Sequence, residues 1–175
     1  MASLMENLIE VLGTESRVYE SLLELSRKKT PVIIAGNLEE LAKITDEEQI
    51  VVERINHLDK KREEVFADVA NVINKDVKTL KIADLVAMLA SRPQEQQKLA
   101  KAHDELKAVA GDVRQVNEQN RLLLENALEM VEFDMNILQS LKAAPETANY
   151  DREALSTGMH MGLGKKGFDA KQEDG

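Results

Sequence analysis

A chain of 175 residues with 43% apolar content can bury one ordinary core, but three Phe, two Tyr and no Trp beside 31% charged residues favour narrow helix seams over a thick globular core or a sheet sandwich. The net charge of −9, with Lys and Arg interleaved among acids, excludes the basic stripe that nucleic-acid binding needs. The absence of Cys excludes a disulfide framework, a thiol nucleophile and every thiolate metal site, and no apolar run reaches membrane-spanning length or forms a secretory signal. A soluble cytoplasmic protein without membrane insertion is the expectation.

From Leu4 onward, Leu4, Leu8, Val11, Val18, Leu22, Leu25 and Val32 keep alternating steps of a heptad seam, with Glu15 and Lys29 as its polar entries. This predicts a first long helix. Gly13 weakens it, and Pro31 is expected to bend it or interrupt one turn. Val32-Ile33-Ile34-Ala35 is β-branched enough to suggest a strand, but a lone strand would leave its backbone groups unpaired, so the helix is read on to Ala35. Arg27-Lys28-Lys29 reads as a charged helix face rather than a binding patch.

Gly36-Asn37 supplies a helix stop followed by a start, with Asn37 as cap and Glu40 at the third helical position. A second long helix follows, its seam formed by Leu41, Ile44, Val51, Ile55, Leu58, Val65, Val69 and Val72, with Glu48 and Arg62 at the polar steps. The short connection allows either a hairpin or a kinked continuation, and an antiparallel hairpin is the usual outcome. Asn74-Lys75-Asp76 breaks the pattern. Thr79 is expected to cap a short third segment, with Leu80, Ile82, Leu85, Val86 and Leu89 on one side, that closes the end of the bundle.

Ser91 and Gln94 suggest a capping box for the last and longest helix, with Pro93 tolerated in its first turn. Its seam runs Leu99, Ala102, Leu106, Val109, Val113, Val116, Asn120, Leu123, Ala127 and Met130, and the helix is expected to end before Pro145. From Leu122 the helix carries two apolar stripes. Leu123, Ala127, Met130 and Ile137 continue the seam, while Leu124, Leu128, Val131, Met135 and Leu138 run beside it. A two-helix seam needs one stripe, so the second either packs on a third helix or offers a face to a partner. Met130 and Met135 suit a surface that repacks around what it binds.

Residues 1–144 thus read as an all-α bundle of long antiparallel, coiled-coil-like helices with a short connector. Residues 145–175, with five of the chain's Gly and no sustained period, read as a flexible tail carrying the apolar anchors Tyr150, Leu155, Met159, Met161, Leu163 and Phe168. Chemistry is not expected. His57, His103 and His160 stand alone, outside any metal-ligand spacing, and Asp46-Glu47-Glu48 reads as part of a solvated face. Gly162-Leu163-Gly164-Lys165-Lys166-Gly167 lacks the phosphate-loop spacing, and nothing assembles a nucleophile, a base and an oxyanion donor. No catalytic residue, metal or cofactor is assigned.

Two long N-terminal helices, a short connector and a long last helix running through Leu122-Leu123-Leu124-Glu125-Asn126-Ala127-Leu128-Glu129-Met130-Val131-Glu132-Phe133, followed by Tyr150 to Gly158 and Phe168-Asp169-Ala170-Lys171, resemble the FlgN family of flagellar export chaperones. The resemblance covers roughly Leu4 to Phe168. It implies a cytoplasmic chaperone that holds unassembled hook-associated proteins and delivers them to the export gate of the flagellar type III apparatus. In that family the client is bound through the C-terminal part of the chain. Carried onto this sequence, the partner-binding residues are Leu124, Leu128, Val131, Met135 and Leu138, with Tyr150, Met159, Met161 and Phe168 from the tail. Tyr150 corresponds to an aromatic offered to the gate. The rival expectation is a coiled-coil scaffold or adaptor whose wide apolar face serves self-association.

Overall fold

A computed structural model describes residues 3–142. The described chain is all-α, with four helices in the order α1 (Leu4–Ala35), α2 (Leu38–Val72), α3 (Ile82–Met88) and α4 (Pro93–Lys142). It divides into two compact units, Met1–Leu122 and Leu123–Gly175, the second of which is described over residues 123–142. The expected tail, and with it Tyr150, Met159, Met161 and Phe168, lies outside the described residues.

The start of α1 is fixed by a reciprocal pair. The Ser3 hydroxyl accepts from Glu6 N at 3.0 Å, and Ser3 N donates to the Glu6 carboxylate at 2.7 Å. The helix passes through Pro31 without interruption. Proline removes the amide that would bond the carbonyl four residues earlier, that of Arg27, and Arg27 is solvent-exposed, where water can serve that carbonyl. Of the two expected outcomes at Pro31, the interruption of a turn does not occur. Gly36 then adopts φ +71°, a left-handed conformation that suits Gly, while Gly36 N and Asn37 N bond back to Ile33 O and Val32 O. Asn37 caps α2 by accepting from Glu40 N at 3.1 Å.

The polar steps of the two seams settle how α1 and α2 run. Glu15 on α1 meets Arg62 on α2 at 2.7 Å, and two heptads further along α1 Lys29 meets Glu48 at 2.8 Å, two heptads back along α2. The helices are therefore an antiparallel hairpin, and each charged interruption of one seam falls opposite its counter-charge. Slipping the register would place a carboxylate or an ammonium against apolar residues, which is costly enough to specify the pairing. Glu48 is buried at its polar step of the seam and so does not share the solvated face expected for Asp46-Glu47-Glu48, while Asp46 and Glu47 are exposed.

The first unit also contains α4 as far as Leu122, running parallel to α1. Asn117 Oδ1 accepts from the Ser26 hydroxyl at 2.9 Å and Asn120 Oδ1 from the Thr30 hydroxyl at 2.7 Å, while Asn120 Nδ2 donates to Ser26 O at 2.8 Å. Asn120, the polar residue of an otherwise apolar seam, is thus buried and satisfied. The unit is an up-down-up bundle of three long helices. Besides the expected seam, α1 buries Leu12, Ser16, Leu23, Ser26 and Ile33, a second stripe that the sequence reading did not separate out.

Two apolar clusters fill the unit. At one end Leu8, Leu12, Leu99 and Ala102 meet Val69, Ala70, Leu80, Leu85 and Leu89, so the connector closes the bundle as expected. Further along, Val18, Leu22 and Leu23 meet Ile55, Val109 and Val113. Val72, assigned to the second seam, is exposed. The stripe turns onto Ala70, Phe66 and Ile73 where α2 meets the connector.

Two expected caps are displaced. Thr79 belongs to a turn on Asp76, whose carbonyl accepts from Thr79 N and Leu80 N, and α3 begins after Lys81, whose N–H donates to the Asp84 carboxylate at 2.9 Å. Ser91 lies one residue too early to cap α4. Arg92 provides the first accepting carbonyl, to Gln96 N at 3.0 Å, and Pro93 occupies the first helical position. Gln96 Nε2 reaches Val86 O at 2.7 Å and ties α4 to the connector.

Gly111 sits inside α4 with a negative φ and no atom within 4 Å of where a Cβ would stand. Gly111→Ala should therefore stabilise the protein by about 0.5–1 kcal/mol through lower unfolded-state entropy. A rise in the urea midpoint with an unchanged slope is the expected result, and a fall would mean that the helix is not continuous through this position.

Candidate functional site

The clearest exposed apolar surface among the described residues is on residues 122–142. A helix that rests on a core shows one apolar stripe and a polar remainder. Here Leu128 is 67% exposed, Val131 54%, Met135 55% and Leu138 56%. Leu124, the first residue of that stripe, is half-buried. Exposed beside them are Leu122, Met130, Phe133, Ile137 and Leu141. Met130 and Ile137 were expected to continue the buried seam and do not. Phe133 and Leu141 were not assigned to either stripe, although their signal is in the sequence: from Leu122 to Leu141 large apolar residues occupy all of the helix circumference except the sector of Glu125, Glu129, Glu132, Asn136 and Gln139, more than one seam can use.

The spacing of Leu124, Leu128, Val131, Met135 and Leu138 places five side chains on one face over about 20 Å of helix axis. Single exposed Leu residues are ordinary on a protein surface, whereas these share one face with one another. The residues around it are acidic. Glu125, Glu129, Glu132 and Asp134 lie between Leu122 and Leu141, and that interval contains no Lys or Arg.

The titratable groups of the first unit are arranged differently. Glu15 is fully buried. Its carboxyl is pushed up to about 7 from the usual 4.5, first by burial and then by the Asp59 carboxylate beside it, against the opposing pull of Arg62. Arg62 also bonds Asp59 through Nη2 at 3.1 Å. Burial works against the guanidinium charge, but Glu15 and Asp59 outweigh it and hold the Arg62 pKa above its ordinary value. Although Nε lies 2.7 Å from Oε1, neither Glu15 oxygen has a hydrogen bond of good geometry among the described residues, so the pair attracts mainly as charges. Tyr19 lies close by, its phenol pKa raised by burial and then by Asp59 and Glu15.

A cleft of about 200 Å³ flanks this cluster, walled by Leu12, Tyr19, Ile82, Leu106 and Ala110 with His103 and Lys107 among the lining residues. His103 Nδ1 lies 3.8 Å from Asp104 Oδ1, and His57 is exposed. Among the described residues no three His, Cys, Asp or Glu side chains converge as metal ligands, and no helix is long and apolar enough to cross a membrane. The buried ion pair is explained by helix register, leaving the apolar face of residues 122–142 as the feature that packing within the described residues does not use.

Fold and site together define a helical-bundle protein with an exposed apolar helix face. The chain belongs to the FlgN family, described as "FlgN protein", whose model matches residues 1–157. That is a family of flagellar export chaperones, which bind flagellar export substrates. The chain is also 25% identical over 165 residues to a protein of Bacillus subtilis (strain 168) described as "Uncharacterized protein YvyG", covering 94% of this chain and 96% of that one. No solved structure matches.

Proposed function

We propose that this chain is a cytoplasmic chaperone that binds unassembled hook-associated proteins through Leu124, Leu128, Val131, Met135 and Leu138, with the segment from Tyr150 to Phe168 as a second contact, and delivers them to the export gate of the flagellar type III apparatus. The observation that carries this reading is the exposure of Leu128, Val131, Met135 and Leu138 on one helix face in a member of the FlgN family. A subunit awaiting export must be kept from polymerising, and its apolar assembly helix stays adhesive until it meets its neighbours. Covering that helix requires only a complementary apolar face.

The magnitudes suit a carrier. Fully burying four such side chains contributes roughly 1.5–3 kcal/mol each in gross terms. Association and side-chain ordering cost about 4–15 kcal/mol, the same order as that gain, so this face alone would hold its cargo reversibly.

Leu128→Asp combined with Val131→Asp should weaken capture of a purified hook-associated protein by about 100-fold or more, because each carboxylate would have to be desolvated in an apolar interface. Helical content should be unchanged, since both positions are exposed. Pull-down alongside circular dichroism measures both, and undiminished capture would remove these residues from the site. Truncation after Ala144 should weaken client binding or delivery and leave the melting of the bundle in place. A truncated chain that melts early would make the removed segment structural.

A further inference from the structure

The face that packing leaves open is bordered by acids in a pattern that selects what can cover it. When Leu124, Leu128, Val131, Met135 and Leu138 are taken as the a and d positions of heptads, Glu125 and Glu132 fall at e and Asp134 at g, the positions that flank a helix seam and meet the partner's flanks. Glu129 lies one position further out. Glu129, Glu132 and Asp134 have no Lys or Arg within four residues on either side, so no cation on their own helix reaches them. All three are exposed.

We propose that the occupant of this face is an amphipathic helix whose apolar stripe is flanked by Lys and Arg, and that the acidic border discriminates against a second copy of this chain. The proposal rests on the docking reading above and specifies the partner's chemistry. The 4-3-4-3 spacing matches another helix, which can set its own a and d side chains into the gaps. In an antiparallel second copy, e positions meet e and g positions meet g, which sets acid against acid. In a parallel one, Asp134 meets Gln139 and Glu132 meets Ala127. Neither orientation provides a single opposite-charge pair. A basic-flanked helix gains attraction at the same positions, and the local negative field speeds its encounter. The segment beyond Lys142 is a poor rival, because its Arg152, Lys165, Lys166 and Lys171 are outnumbered by Glu146, Asp151, Glu153, Asp169, Glu173 and Asp174.

The full chain can be titrated with two synthetic helices of about three heptads, each with Leu at a and d, one carrying Lys and the other Glu at e and g. The Lys helix should bind about tenfold more tightly or better at about 50 mM salt, and the gap should narrow at about 500 mM as the exposed charges are screened. Glu132→Lys with Asp134→Lys should reverse the preference. Equal affinities that are both lost in the Leu128→Asp, Val131→Asp variant would overturn the charge inference and leave the docking face standing. Lys-helix binding that survives that variant would overturn the docking reading itself. A dimer of the full chain in light scattering that the same variant dissolves would overturn the exclusion of a second copy.

Discussion

Truncating Leu12 or Leu99 to Ala should destabilise the bundle by about 3–5 kcal/mol, a large part of the 5–15 kcal/mol that holds a domain of this size together. Both side chains are fully buried in the cluster where α1, α2, α3 and α4 meet, and each contacts neighbours that are themselves fixed by the connector. The cost combines lost transfer free energy with a cavity that the crossing of four elements prevents from collapsing. Leu128→Ala and Leu141→Ala, at exposed positions, should change stability by less than about 0.5 kcal/mol. Urea unfolding of the four variants gives the contrast directly. A Leu128→Ala cost near that of Leu12→Ala would mean that the last part of α4 is covered in solution.

The same contrast shows what was legible before the fold was in hand. The seams of α1, of α2 as far as Val69 and of the first part of α4 follow the heptad steps, because a long helix beside another helix has one geometry for its apolar stripe. Glu15, Lys29, Glu48 and Arg62 could be seen as polar steps, but their pairing needed three-dimensional register, since either a hairpin or a kinked continuation fits the same spacing. The second stripe of α1 was missed because Ser16 and Ser26 interrupt it. The Ser26 hydroxyl is compatible with burial because Asn117 on α4 accepts from it, with Glu48 on α2 also within reach, whereas the buried Ser16 hydroxyl has no partner among the described residues. Caps were legible where one residue dominates, as at Asn37, and misplaced where several candidates compete within three residues, as at Thr79 and Ser91. On the last helix the count of apolar residues announced a surplus. Periodicity assigned Met130 and Ile137 to the seam, whereas the structure exposes them, because periodicity records which residues share a face and not whether anything lies against it.

Arg62→Met should have an effect that depends on pH, and the dependence identifies the ion pair as its source. At pH 8 the variant should lose about 3–5 kcal/mol, because Glu15 is left as a buried carboxylate without its counter-charge. The folded pKa of Glu15, about 7, lies above the ordinary 4.5. Its protonation therefore favours the folded state by an amount fully present below pH about 4.5 and lost as pH rises through about 7, a span worth roughly 3 kcal/mol. At pH 5 Glu15 is already largely neutral in the folded protein, so removing Arg62 should cost only about 1–2 kcal/mol of packing and hydrogen bonding to Asp59. Glu15→Gln tests the other half of the pair. It should flatten the loss of stability between pH 5 and 8, and combined with Arg62→Met it should restore most of what the single Met variant loses at pH 8. Denaturant unfolding of the four proteins at both pH values completes the cycle. An Arg62→Met cost that is the same at pH 5 and pH 8 would mean that Glu15 keeps one charge state across that range and that burial does not push its carboxyl up to about 7.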